Sequence, residues 1–174
     1  TSDVREVAYY NEAEKLVKAP LAVITAVSTT LMPRVANEFK KNNVESIKKY
    51  LSVSLQFSML LAWPLMFGMS GIAQNLIPWF LGEGYEKAII ALILLSVTIV
   101  PIASTSVSAN QYYIATGKTK MLTISYTWSA VLNLCINALL IPHLGFIGAA
   151  IGTIAAEVTA LVIQFFVMNK SVPI

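Results

Sequence analysis

The stretch AIIALILLSVTIVPIASTSVSA, residues 88–109, runs for 22 residues without a formal charge. As a helix it would cover about 33 Å, enough to cross a hydrocarbon core of roughly 30 Å. It lacks period-two alternation and is far longer than a barrel strand, so it reads as a membrane-spanning helix. Four more apolar windows flank it, at about 13–32, 51–71, 121–141 and 145–168. The fold class that follows is all-α, a polytopic membrane helical bundle of five spans in a single membrane domain, 1–174. Residues 72–85 hold Ile72, Leu76, Ile77, Trp79 and Phe80 and are too short to cross again. Trp79 after Pro78 suits a short helix lying in the interface, where an indole is half apolar and half wet.

Composition agrees with the windows. Hydrophobic residues make up 56% of the chain and charged residues 12%, against roughly 25% charged in a soluble domain, and mean hydropathy is +0.69. The single cysteine, Cys135, and single histidine, His143, exclude a disulfide framework and a thiolate or histidine metal site. No glycine-rich phosphate loop is present. The only aspartate is Asp3, so no aspartate pair exists to hold a magnesium-bound diphosphate. Neither a catalytic centre, a metal nor a cofactor is therefore expected, and the protein is not read as an enzyme.

The net charge of +3 points to basic loops beside anionic lipid and not to nucleic acid. Of the 12 Lys and Arg residues, 8 fall on one side: Arg34, Lys40, Lys41, Lys48, Lys49, Lys118, Lys120 and Lys170. That side is expected to be cytoplasmic, which leaves the N-terminus outside and the C-terminus inside. An exported start at Thr1 with no signal peptide suggests a piece of a longer chain.

Polar groups within the spans are the best markers of function, because each is costly in lipid unless it faces protein or water. Ala19 to Met32 gives only 14 residues, about 21 Å of helix, so the first span must extend backwards through Ala13. That draws in Asn11, Glu14, Lys15 and Lys18, which share a face. Lys15 and Lys18 could meet an anionic ligand in a cavity, or could snorkel at the interface beside Glu14. In the fifth span, Glu157 could be a proton or cation site, a partner for a lysine or a sugar hydroxyl, or a strut between helices. Gly145, Gly148, Gly152 and Ala156 form a separate small-residue stripe suited to close helix packing. Tyr126, Ser129, Asn133 and Asn137 share one face of the fourth span, where the amides could bind sugar or hold helices together. In the third, Pro101, Ser104, Ser108 and Gln111 align, and the proline loosens the backbone beside hydroxyls that can satisfy freed carbonyls.

Four strings carry a family likeness. VAYYNEAEKLVKAPLAVITAVSTTLMPR (7–34), PLMFGMSGIAQNLIPWFLGEGYEKA (64–88), NQYYIATGKTK (110–120) and VLNLCINALLIPHLGFIGAAIGTIAAE (131–157) together resemble the C-terminal half of Wzx-type polysaccharide flippases. These belong to the multidrug/oligosaccharidyl-lipid/polysaccharide exporter superfamily. Ala8 and Ser108-Ala109 depart from the glycines common at those places in that family. The resemblance implies a fold of 12 to 14 helices in two bundles around a cavity, this chain supplying five of the second. It also implies transport of undecaprenyl-diphosphate-linked oligosaccharide across a bacterial plasma membrane, by alternating access, for surface polysaccharide. On this likeness Lys15 and Lys18 would meet the diphosphate, and Asn11, Glu14, Gln111, Asn133, Asn137 and Glu157 would line the cavity or couple transport. Membrane lipid, a polysaccharide polymerase and assembly proteins would be the partners. Two rivals are a cation-coupled multidrug exporter using Glu157 and a membrane scaffold for polysaccharide assembly.

Overall fold

The computed structural model describes residues 2–172, and Thr1 lies outside them. Helices α1 (Ser2–Lys40), α2 (Val44–Leu81), α3 (Glu86–Ser96), α4 (Ile99–Val107), α5 (Thr119–Leu144) and α6 (Phe146–Ser171) are joined by a π-helix at Ser108–Ile114. The segments from α3 through the π-helix act as one rod. The described chain thus holds five rods long and apolar enough to cross a membrane. Successive rods run antiparallel. One end of the bundle carries the α1–α2 turn and most of the lysines, and the other carries the turns at Gly82 and Gly145.

Helix α1 passes through both Pro20 and Pro33 without ending. Proline removes a backbone donor and deprives the carbonyl four residues back of its usual partner, here the carbonyls of Leu16 and Thr29. The hydroxyls of Thr25, Ser28, Thr29 and Thr30 each donate to the carbonyl three residues back. The third rod does break. Pro101 has no N–H for the Val97 carbonyl, and the helix opens into a turn at Val97–Thr98. Thr98 Oγ1 then donates to the Leu95 carbonyl at 2.6 Å.

The expected separate helix at 72–85 is absent. Instead α2 continues through Gly71 to Leu81, a run of 38 residues, or about 57 Å. An interior glycine costs a helix only about 1 kcal/mol, and nothing before Gly82 supplies a stop. Gly82 has φ 81° with ψ −172° and Gly84 has φ 94°, positive-φ backbone that glycine adopts readily and that cannot continue a helix. Trp79 is left largely exposed.

The third rod is the axis of the bundle. Its Leu92, Leu95 and Ile99 are buried at the lysine-poor end with Ala13, Ala62, Ala73 and Phe146. A second cluster at the lysine-rich end gathers Val35, Ile47, Leu51, Tyr112, Tyr113 and Met168. Helix α5 lies at the margin and buries only Ser125 and Ser129. Its main neighbour is α6, where the small-residue stripe sets the approach. A Cβ at Gly148 would lie 2.7 Å from the Leu140 backbone.

Candidate functional site

Tyr10, Glu14 and Lys18 recur every four residues and so line one face of α1. Two bonds hold that face against α6. The Glu6 carboxylate accepts from Phe146 N–H at 3.3 Å, at a helix N-terminus, where a negative charge is favoured. One turn further on, the Tyr10 hydroxyl and Thr153 Oγ1 lie 2.7 Å apart. Beyond them Lys18 pairs with Glu14 at 2.9 Å. Glu157 follows Thr153 by one turn of α6 and lies in the field of Lys18 and Glu14. Its carboxylate has no hydrogen bond or ion pair among the described residues.

Beside Glu157 opens a groove of about 340 Å³ between the π-helix and α5, lined by Ile102, Ser106, Asn110, Ile114, Tyr126 and Glu157 among others. Its polar wall is built from the third rod. Ser106 Oγ is 2.5 Å from Ser28 Oγ on α1, and Asn110 Nδ2 donates to the Ser106 carbonyl at 3.0 Å and to Ser28 Oγ at 3.2 Å.

On its other side the π-helix is bound to α6. Ser108 Oγ donates to Gln164 Oε1 at 2.6 Å, and Tyr113 Oη donates to the Gln164 carbonyl at 2.7 Å. Gln164 Nε2 passes the chain on to Ser125 Oγ of α5 at 3.2 Å. The wide turn is thus held between α1 and α6 by directional bonds. Such π-turns occur often at functional sites.

The expected site residues divide into two groups. Lys18 and Glu14 pair on α1, and Glu157 stands on α6 one turn beyond the Thr153 that meets Tyr10, within their electrostatic reach. Lys15 turns away and pairs with Glu12 at 2.7 Å, its side chain 70% exposed, and Asn11 is exposed on the same helix. Gln111 is fully buried and donates to the Ser28 carbonyl at 3.1 Å, so it ties the π-helix to α1 and does not line the groove. Its Oε1 has no partner among the described residues. Asn137 donates to Asn133 at 2.9 Å, and both pack against Gly152, where a Cβ would run into Asn137.

Sequence reasoning overlooked Ser106 and Asn110 and set Tyr126 among residues of a packing face. The available signal was the stripe 102, 106, 110, 114, spaced by four throughout. In an α-helix such a stripe drifts by about 40° per step. The π register reverses that drift, because four residues there fall short of a turn. The stripe therefore stays on the groove.

Comparison with known proteins adds the family. The family model described as lipid II flippase MurJ matches residues 2–174. A probable low-salt glycan biosynthesis flippase of Haloferax volcanii is 28% identical over 144 residues, which is 83% of this chain and 30% of that protein. The lipid II flippase MurJ of Bacillus subtilis is 24% identical over 159 residues, or 90% of this chain and 29% of that protein. The chain therefore spans less than a third of either relative's length. No solved structure matches it significantly. The expected flippase superfamily is the one found, and the family matched within it is the MurJ family.

Proposed function

This chain belongs to the lipid II flippase MurJ family, and on that premise we propose that it forms one wall of a flippase for lipid-linked saccharides in a plasma membrane. The cargo is a polyprenyl-diphosphate-linked oligosaccharide, with undecaprenyl-linked repeat units the form that the Wzx-like strings favour. It crosses by alternating access, without covalent chemistry, and the lysine-rich end faces the cytoplasm.

The observation that carries this reading is the Lys18–Glu14 pair with Glu157 near it, set in rods otherwise apolar enough to span a bilayer. Charges in such rods are costly unless they face a polar cavity. Lys18 is 61% exposed at its side chain, and its ammonium is a compact charge with three donors, suited to a phosphate oxygen. Lys15 lies one residue short of a turn away and supplies a second cation once it leaves Glu12. The lipid tail stays in the bilayer while the head moves along the polar face.

The test is made in the complete flippase, with a membrane-impermeant reagent reporting which leaflet holds the saccharide head. Lys18→Ala should lower the flipping rate about tenfold, the worth of one charged hydrogen bond, with membrane abundance unchanged, and Lys18→Arg should keep most of it. Normal flipping by Lys18→Ala would overturn the phosphate assignment. A second reading, a cation-coupled exporter of small molecules, is favoured by the unpaired carboxylate of Glu157. It predicts that Glu157→Gln abolishes the response to an imposed pH gradient and leaves lipid-linked saccharide where it was.

A further inference from the structure

We propose that the groove between the π-helix and α5 is a saccharide subsite, read by Asn110, Tyr126 and Glu157. The proposal rests on the flippase reading above and adds which part of the cargo meets which residues. The groups left open in the groove are acceptors. Asn110 spends its amide nitrogen on Ser106 and Ser28, and its Oδ1 accepts nothing from the described residues. The Glu157 carboxylate is likewise unspent. A ligand that satisfies both must bring hydrogen-bond donors.

The rest of the groove narrows the choice. Ile102, Ile114 and Leu122 give it apolar walls, and the Tyr126 ring is 46% exposed there. Hydroxyl donors around a ring with apolar C–H faces match that mixture, since tyrosine offers an apolar body with a polar tip. A bare metal ion matches it poorly. Such an ion wants about six oxygen ligands, and this groove offers one carboxylate and a few neutral oxygens, those of Ser106 and Thr105 already held in hydrogen bonds. Its volume of about 340 Å³ also falls in the range of small-molecule sites, roughly 300–1,000 Å³. The position fits the cargo as well, because Glu157 joins the groove to the Lys18 face, so a head bound at Lys18 through phosphate extends its sugar this way.

The test uses the complete flippase in lipid nanodiscs and two probes, polyprenyl diphosphate with an oligosaccharide and the same lipid without sugar. Tyr126→Ala should weaken binding of the sugar-bearing lipid about tenfold and leave the bare diphosphate lipid within about twofold. Tyr126→Phe, which keeps the ring, should bind nearly as the parent does. Asn110→Ala provides a second reading with the same expected split, a thermal melt showing that the variant is folded. Equal weakening of both lipids, or of neither, overturns the subsite. So does a loss that added sodium restores, which would mark a cation site. Lys18→Ala keeps the two ideas apart, because it should weaken both lipids. If it does so while the groove variants show no split, the flippase reading stands and the subsite falls. If the unmodified protein binds neither lipid, both fall.

Discussion

At the lysine-poor end the third rod meets its neighbours through Leu92, Leu95 and Ile99 among the alanines Ala13, Ala62, Ala73, Ala88, Ala91 and Ala103. Toward the other end the same rod makes contact through Ser106, Ser108, Asn110, Gln111 and Tyr113, each hydrogen-bonded to another element or to its own backbone. The first arrangement depends on shape. Lipid tails are as apolar as leucine, so helices associate there by close packing, which small residues permit. The second depends on direction, since its bonds form only at one rotation of the π-helix against α1 and α6. The difference separates a packed anchor from a polar wall beside the groove. It also places the unspent groups, Gln111 Oε1 and the Glu157 carboxylate, on the polar side.

The contrast can be broken or sharpened by three substitutions, read as shifts in the unfolding midpoint of the complete protein in detergent. The largest effect belongs to Leu92→Ala, which removes a fully buried side chain and should cost about 2–5 kcal/mol as the cavity fails to collapse. Gln164→Leu comes next. It removes the partner shared by Ser108 and Ser125, but both hydroxyls retain bonds to backbone carbonyls. About 1 kcal/mol is expected, in line with interhelical hydrogen bonds in membranes. A loss as large as that of Leu92→Ala would make the polar belt the main tie and reverse the comparison. The smallest change belongs to Gln111→Met. It gives up the bond to the Ser28 carbonyl and also removes the unpartnered Oε1, so the midpoint should move by less than the equivalent of about 0.5 kcal/mol. A large loss there would show that Oε1 holds a partner, and the belt would then extend deeper than its bonds indicate.

Much of this was legible in the residues. Each expected span falls within one rod, apart from Gly145, which caps the fifth. The Glu14–Lys18 pair followed from spacing, and the glycine stripe of α6 is where α5 approaches. The end of α2 was not legible. Pro78 and Trp79 suggested a separate piece, yet a proline in the last turn leaves a helix able to reach the next glycine with a positive φ. Lys15 was grouped with Lys18 because a helical wheel cannot tell which acid a flexible lysine chooses, and Glu12 lies within its reach. Gln111 was set in the cavity on the family likeness. The π-helix turns it inward against Ser28 and holds Asn110 on the groove.

By itself, then, the sequence determined that the chain is a bundle of membrane-spanning helices, because runs of uncharged residues about 20 long have one stable form in lipid. It also determined which few polar side chains had to be explained, since each is costly there. Only the tertiary structure decided which of them act together. Lys18 and Glu157 lie 139 positions apart, and the pinning of α1 to α6 by Glu6 and Tyr10 brings their faces together. The π-helix is likewise bonded to two other helices, to Ser28 on one side and Gln164 on the other, partners that the four-residue stripe alone does not reveal.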